Sequence, residues 1–218
     1  MENFKIVATA DGSSSILSER FNSTYHSVHG ALQESLHVFI QNGLNVLVNQ
    51  SEIHLLEIGF GSGLNALLAW NWAEHHHVQI HYTGVEAYPI QEDQLEGFNV
   101  GESVNFERFR KLHQCAWEEY QEFSPHFVFR KKLVFWPQTT FENLFDIIWY
   151  DAFAPAVQPE LWDRKALTSC IQQLRSGGVW VTYSSKGEVR RLLGELGCDV
   201  ERIAGPPFKR HMLRATKR

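Results

Sequence analysis

Leu55-Leu56-Glu57-Ile58-Gly59-Phe60-Gly61-Ser62-Gly63-Leu64-Asn65 runs a short apolar stretch into three glycines at alternate positions and then into a helix-forming sequence. A strand, a glycine turn and a helix N-terminus in that order make a ligand-cradling loop. Glycines lack Cβ atoms, so the backbone can turn sharply and approach a bound molecule, while the helix points unpaired N–H groups at it. The dinucleotide fingerprint G-x-G-x-x-G places its third glycine at position 64, where this chain has leucine. The spacing G-x-G-x-G fits S-adenosylmethionine better than a nicotinamide dinucleotide. It nominates Gly59, Phe60, Gly61 and Gly63 as cofactor contacts, against the plain alternative of a glycine-rich strand-to-helix turn.

A second anchor follows at the expected distance. Ile80-His81-Tyr82-Thr83-Gly84-Val85-Glu86 reads as a strand ending in an acid, 25 residues after Gly61. A carboxylate at the C-terminal tip of a second strand can accept hydrogen bonds from both ribose hydroxyls of an adenosyl group, so Glu86 is a cofactor candidate.

A third feature carries chemistry. Phe145-Asp146-Ile147-Ile148-Trp149-Tyr150 is an apolar strand that delivers Asp151-Ala152-Phe153-Ala154-Pro155 to the sheet edge where open α/β sheets bind ligands. Transfer of a methyl group to nitrogen needs an amine lone pair aimed at the sulfonium methyl. An oxygen that accepts the amine's N–H bonds can aim that lone pair and later take the proton, which makes Asp151 the catalytic candidate. Taken alone, an aspartate before a short loop is more often a turn former or a helix cap.

Together these stretches resemble a known family. Glu57 to Asn65, Asp151 to Pro155 continuing into Gln158-Pro-Glu-Leu-Trp162, and the closing Gly205-Pro-Pro-Phe-Lys-Arg-His-Met-Leu213 are similar to the tRNA (5-methylaminomethyl-2-thiouridine) methyltransferases, the MnmD family, equivalent to the methyltransferase half of bifunctional MnmC. The opening Asp11-Gly-Ser, Glu19-Arg-Phe-Asn-Ser-Thr-Tyr25-His26, and Gly30-Ala through Glu34 to His37-Val-Phe39 resemble that family's entry segment, so the likeness spans nearly the whole chain.

The resemblance implies transfer of a methyl group from S-adenosylmethionine to the aminomethyl nitrogen on a tRNA wobble uridine. It implies Glu57 and Asn65 at the methionine end of the cofactor, and Tyr25, His26 and Phe153 near the substrate. It implies no metal; the bifunctional relatives add a flavin-dependent domain for which 218 residues leave no room. Two positions depart from the pattern. Trp136-Pro137-Gln138 stands where a Gly-Asp is usual near the adenine, which carries Gln138 over as the amide reading that edge. Phe208 replaces a more usual glycine, and it either packs, the favoured reading, or stacks on a base.

Composition points to a single catalytic unit of the α/β class. The chain has 44% apolar residues and no long polar tract, enough for a substantial core. No stretch approaches the roughly 20 apolar residues of a membrane span, and Met1-Glu-Asn-Phe-Lys lacks a signal-peptide core, so a cytoplasmic protein is expected. Cys115, Cys170 and Cys198 are odd in number and widely spaced, which suits buried thiols rather than disulfides or a metal site. His75-His76-His77 falls at a helix end, where imidazoles suit the dipole.

Charge is divided along the chain. From Arg175 to Arg218 ten Lys or Arg stand against four Asp or Glu, a net of +6 that leaves −11 on residues 1–174 of a chain whose total is −5. This basic tail is the part that can meet phosphate. It nominates Lys186, Arg190, Lys209 and Arg210 as RNA contacts, against a reading as solvated helix faces and strand ends.

Periodicity gives the remaining organisation. Residues 1–50 are expected to form a β-rich entry segment and an amphipathic helix over 30–41, packed on a methyltransferase domain over 51–218. That domain alternates strand 53–58, helix 63–75, strand 80–86, helices between 91 and 120, and strand 127–136. It continues with strand 146–150, helix 159–175, strand 178–184, helix 187–196, and closing strands 199–204 and 210–216. Such alternation predicts a Rossmann-like, mostly parallel sheet with helices on both faces. The stretch 91–126 is expected to cap the cofactor helically, with Gly177-Gly178 ending a helix.

The reading that unites these features is an S-adenosylmethionine-dependent tRNA N-methyltransferase acting on an anticodon-loop base, with a separate enzyme supplying the aminomethyl precursor. An N-methyltransferase for a small molecule or protein, a non-catalytic nucleotide-binding module and a nicotinamide oxidoreductase are its rivals; Leu64 speaks against the last.

Overall fold

The apolar runs pair into one eight-stranded sheet in a computed structural model that describes residues 4–101 and 105–218. The entry segment contributes β1 (Phe4–Ala8), β2 (Ser14–Ser18), β3 (Ser23–Thr24) and α1 (Ala31–Ser35), which continues as a π-helical turn over Leu36–Gln41. Next come β4 (Glu52–Ile58), α2 (Leu64–His76), β5 (Gln79–Glu86), α3 (Phe106–Gln114), β6 (Gln121–Ser124) and β7 (Phe127–Leu133). The chain closes with β8 (Phe145–Tyr150), α4 (Arg164–Gln173), β9 (Leu174–Thr182), α5 (Gly187–Glu195), β10 (Cys198–Ala204) and β11 (His211–Lys217).

The large sheet has the order β10-β11-β9-β8-β4-β5-β7-β6. Its five central strands, β9, β8, β4, β5 and β7, are parallel, β6 and β11 run antiparallel to them, and β10 pairs antiparallel with β11. The chain begins this sheet in β4, moves outward through β5 to β7, then returns to β8 on the other side of β4. The order therefore reverses between β4 and β8, and such a switch point opens a crevice at the C-terminal strand ends.

Strands buried on both faces need helices on both faces, and two apolar clusters flank the sheet accordingly. One holds α2 and α3 with the entry segment; the other holds α4 and α5 around Trp136, Tyr150 and Trp180. Helix α2 is apolar around its circumference, from Leu64 to Ala73, because it lies between the sheet, α3 and the entry segment. The entry segment is itself a three-stranded antiparallel sheet, with Phe4 opposite Ser18 and Ala8 opposite Ser14. Asp11 organises it: the carboxylate accepts from the Ser13 N–H at 3.1 Å and from the Gln33 N–H in the first turn of α1 at 3.0 Å.

The structure corrects several local expectations. Helix α4 starts at Arg164 behind a 3-10 turn over Pro159–Leu161, and it stops at Gln173. Gly177 and Gly178 do not end that helix; they sit inside β9 as a bulge. The register jumps there, from Phe145 opposite Leu174 to Ile147 opposite Val179, and Gly177 supplies the left-handed backbone with φ of +77°.

The stretch 91–126 forms a 3-10 turn, α3 and the antiparallel β6, and none of its residues lines the main cavity. Residues 102–104 of that expected cap lie outside the described part. The thiols of Cys170 and Cys198 are buried and that of Cys115 half-buried, all unpaired. His75 and His76 end α2 as expected, with His77 in a left-handed cap. Among the described residues no helix is long and apolar enough to cross a membrane.

The bulge yields a stability test. A Cβ at Gly177 meets nothing within 4 Å, so Gly177→Ala is expected to cost only the left-handed backbone penalty, about 1–2 kcal/mol. At Gly59, with φ of +93°, the added Cβ would lie 2.5 Å from the Asp151 carbonyl oxygen, and Gly59→Ala should cost about 3 kcal/mol or more. Urea denaturation measures both; equal losses would show that the contact between the β4 and β8 loops is not tight.

Candidate functional site

The crevice at the switch point contains a cavity that opens to solvent. Ile58 and Gly59 after β4, Val85 to Tyr88 after β5, Val134 to Trp136 after β7, and Asp151 to Phe153 after β8 form its walls. The glycine loop is held against the second strand by Glu86. One carboxylate oxygen accepts the Gly61 N–H at 2.8 Å, and the other accepts the Ala87 and Tyr88 N–H groups at 2.9 and 2.8 Å. These bonds fix Glu86 on the cavity wall, where the sequence placed it. Gly61 needs its missing side chain because a Cβ would stand 2.6 Å from the Tyr25 ring. Gly63, with φ of +77°, forms the N-cap of α2.

Behind this wall lies a chain of buried polar groups. Asn65, in the first turn of α2, donates from Nδ2 to Glu57 at 2.9 Å and to Asp151 at 2.8 Å. The Tyr82 hydroxyl donates to the second Glu57 oxygen. Glu57 is fully buried, and desolvation pushes its carboxyl well above the usual range. Both of its oxygens are engaged inward and it does not line the cavity, so it braces Asn65 and Tyr82. The Asn65 Oδ1 is buried without a partner.

Asp151 is the end of this chain that faces the cavity. Its backbone N–H bonds to the Ile58 carbonyl at 2.9 Å, which ties the β8 loop to the β4 loop. Desolvation, reinforced by the negative charge of Glu34, raises its carboxyl from 3.8 to about 7; the Asn65 bond and Lys209 act in the opposite direction. A carboxyl titrating there is matched to proton transfer at neutral pH. The loop that carries it is pinned by three bonds to its carbonyls: Tyr183 hydroxyl to Ala152 at 2.9 Å, Trp162 Nε1 to Phe153 at 2.7 Å, and Tyr150 hydroxyl to Leu161.

The entry segment completes the site. Phe21 and Tyr25 reach the cavity and pack on Phe153, with ring centroids 4.6 and 4.9 Å apart, so three aromatics cover the mouth beside Asp151. Glu34, from α1, is buried and ion-paired with Lys209, whose ammonium lies 4.2 Å from the Tyr183 ring centroid. His26 is buried rather than displayed at a lip. Its Nε2 lies 3.0 Å from the Ser62 hydroxyl of the glycine loop, and desolvation lowers its pKa to about 4, so it anchors the loop as a neutral ring. Phe60 turns away from the cavity to pack on Phe129 and His113.

Other sequence candidates fall elsewhere. Gln138 is exposed on the turn after β7 and does not line the cavity. Gln158 does: it is only 5% exposed, lines the cavity with Leu161, and its side-chain amide shows no hydrogen bond to the described residues. The motif Gln158-Pro-Glu-Leu-Trp162 was visible in the sequence, but no spacing rule aims that amide inward. Lys186 and Arg190 are exposed on α5, Arg190 in a shallow depression with Asp199 and Glu201. Arg210 is exposed, and Lys209 is spent on Glu34. Phe208 does not pack. The residues closest to a metal-ligand arrangement, Glu52, His54 and His81, lie at the opposite ends of β4 and β5, and His–Glu pairs of 3.2 and 3.0 Å account for them.

A parallel sheet that reverses beside a glycine loop, with an acid ending the second strand, is the arrangement of a nucleoside-cofactor binding fold. A family model described as S-adenosyl-L-methionine-dependent methyltransferase matches residues 129–218. Over that stretch the chain is similar to the S-adenosylmethionine-dependent methyltransferases.

Within them, 90% of it is similar, at 30% identity, to the tRNA 5-methylaminomethyl-2-thiouridine biosynthesis bifunctional protein MnmC of Idiomarina loihiensis, of which it covers 36%. The protein of the same name from Delftia acidovorans is 29% identical over 91% of the chain, which covers 33% of it. The crystal structure of MNMC2 from Aquifex aeolicus superposes with a TM-score of 0.84 at 25% identity, over 99% of this chain and 71% of that one. The chain thus spans about a third of the length of the curated relatives it matches.

The raised Asp151 carboxyl makes a signed prediction. The folded protein holds a proton there that the unfolded chain releases near 3.8, so ionisation costs the folded state stability that is lost between pH 4 and 7. Asp151→Asn keeps an acceptor oxygen without the charge. It should match the parent below about pH 4 and exceed it by roughly 2–4 kcal/mol above pH 7. Denaturation curves across this range test it; a pH-independent difference would mean that Asp151 is solvated.

Proposed function

We propose that this chain transfers the methyl group of S-adenosylmethionine to the aminomethyl nitrogen on a tRNA wobble uridine, giving 5-methylaminomethyl(-2-thio)uridine. The observation that carries this reading is Asp151, a desolvated carboxylate at the end of β8 on the wall shared with the glycine loop and Glu86. The tRNA 5-methylaminomethyl-2-thiouridine biosynthesis of the MnmC relatives supports this substrate class.

The lining of the cavity suits an adenosyl group. Val134, Phe135 and Leu161 offer an apolar slot for a flat base, Glu86 faces the sugar hydroxyls, and the amide of Gln158 reads the edge of the base. Asn65 Oδ1 supplies an acceptor for the methionine amino group. When bound, S-adenosylmethionine supplies a methyl group made electrophilic by the adjacent sulfonium.

The chain's own residues do the rest. Asp151 accepts an N–H bond from the substrate amine and directs its lone pair toward the methyl carbon, held in place by Asn65. As the N–C bond forms and the S–C bond breaks, nitrogen gains a positive charge and then releases a proton to the Asp151 carboxylate. Glu34 adds a second negative charge near Asp151, and Lys209 offsets it. Phe21, Tyr25 and Phe153 exclude water from the aspartate, which strengthens its hold on the amine. A single-stranded anticodon loop lets its base splay out into this mouth at low cost. Another active site makes the aminomethyl group, and a tRNA substrate places the reaction in the cytoplasm.

The test is methylation of tRNA bearing 5-aminomethyl-2-thiouridine by the purified protein, read by nucleoside analysis. Methyl transfer to that nucleoside is expected, falling about 100-fold or more in Asp151→Ala while cofactor affinity stays within a few-fold. Methylation of free alkylamines but not of tRNA would sink the assignment. Gln158→Leu should weaken S-adenosylmethionine binding about threefold to tenfold, whereas Gln138→Leu should change it less than about twofold. Calorimetric titration separates the two amides, and the reverse ranking would return the adenine contact to Gln138.

A further inference from the structure

The turn joining β10 to β11 displays an aromatic side chain that the fold does not use. Phe208 is 79% exposed, more than any other large hydrophobic residue among those described, and its φ is +68°. A left-handed backbone is unfavourable for a residue with a Cβ, and an exposed phenyl ring gains nothing from burial. Two unfavourable choices at one position need a compensating gain outside the folded chain, and sites of binding are where such strain collects.

The surroundings identify the ligand chemistry. The Phe208 ring is paired with the exposed imidazole of His29, centroids 4.4 Å apart and planes tilted by 31°. The two rings make an exposed aromatic step joining the entry segment to the closing turn. This step stands at the rim of the Asp151 site: the next residue, Lys209, pairs with Glu34 and covers Tyr183, and Glu34 and Lys209 both act on the Asp151 charge. Arg210 follows, exposed and without an ion pair. A flat π surface two residues from an exposed arginine suits a base and its phosphate, because every base offers a π face and every nucleotide an anion. Two rings are too small an area to hold a protein partner.

We propose that Phe208 and His29 form a nucleobase-stacking subsite that holds the base adjacent to the one being methylated, with Arg210 on the intervening phosphate. The proposal rests on the tRNA reading above. Stacking there keeps the loop splayed, so that the neighbouring base stays in the Asp151 pocket. The strained Phe208 backbone holds the ring outward, away from packing partners.

The test uses a fluorescein-labelled anticodon stem–loop RNA, its binding followed by anisotropy, with parent, Phe208→Gly and Phe208→Trp proteins. Phe208→Gly relieves the backbone strain while removing the ring. It is expected to bind the RNA about tenfold more weakly, with unchanged S-adenosylmethionine affinity and a Tm equal to or above the parent's. Phe208→Trp should bind within about twofold of the parent. A single abasic site next to the wobble position should weaken binding to the parent about tenfold and cost Phe208→Gly no further affinity.

Unchanged RNA affinity in Phe208→Gly, or a loss accompanied by a lower Tm and weaker cofactor binding, would overturn the proposal by showing an idle or a packing ring. Equal sensitivity of parent and Phe208→Gly to every abasic site would overturn it too. If the parent methylates tRNA while these results fail, only the subsite falls; if the parent neither binds nor methylates tRNA, the functional reading falls with it.

Discussion

Three carboxylates, Glu57, Glu86 and Asp151, converge where β4, β5 and β8 end, and the site depends on keeping them apart in charge. Unpartnered like charges in a low-dielectric setting would not coexist, so each is handled differently. Glu86 is neutralised by three backbone N–H groups. Glu57 is buried, accepts from Asn65 and Tyr82, and has its proton affinity raised well above the ordinary range. Asp151 keeps one oxygen on Asn65 and faces the cavity. The Asn65 amide bridges two of the three, so its position in the first turn of α2 couples the glycine loop to the catalytic strand. An alanine there would leave two buried carboxylates without their shared donor.

The entry segment is part of the site. Its small sheet supplies Phe21 and Tyr25 over the cavity, His26 beneath the glycine loop, and Glu34 beside Asp151. These side chains do what was expected of the stretch 91–126, which packs on α2 and β7 instead. His113, from α3, still reaches the loop from below, with Nε2 2.9 Å from the Ser62 carbonyl oxygen. The glycine loop is thus held from both sides by histidines, one neutral and buried.

What could be read from the sequence was what local pattern controls. The parallel strands were legible because runs such as Phe145 to Tyr150 are buried on both faces, and the ligand loop because G-x-G-x-G follows one of them directly. Glu86 and Asp151 were legible as the residues at which such strands end. The misses all depend on tertiary partners. Gly177 looks like a helix terminator, and only pairing with β8 reveals a bulge. Gln138 and Gln158 are equally good adenine readers on paper; which of them is buried depends on how the β7 and β8 loops fold. Lys209 counts as a phosphate ligand by charge until α1 brings Glu34 beside it, 175 positions away.

That last contact changes how the charge division should be understood. Four of the acids of residues 1–174, Asp151, Glu34, Glu57 and Glu86, gather at or behind the pocket, which makes it a poor place for phosphate. A polyanion delivering a cationic group must therefore bring its base in and keep its backbone out. The basic tail does not answer this uniformly: Arg175, Arg214 and Arg218 are paired with acids, and Lys217 caps carbonyls of Ile171 and Leu174. The cations left without acids are Lys186, at the end of α5 that faces the same sheet edge as Asp151, Arg190 and Arg191 further along that helix, Arg202, and Arg210 at the rim. Net charge along the sequence thus overstates the basic face. The cations without acids lie outside the pocket, and the carboxylates Glu86 and Asp151 line it.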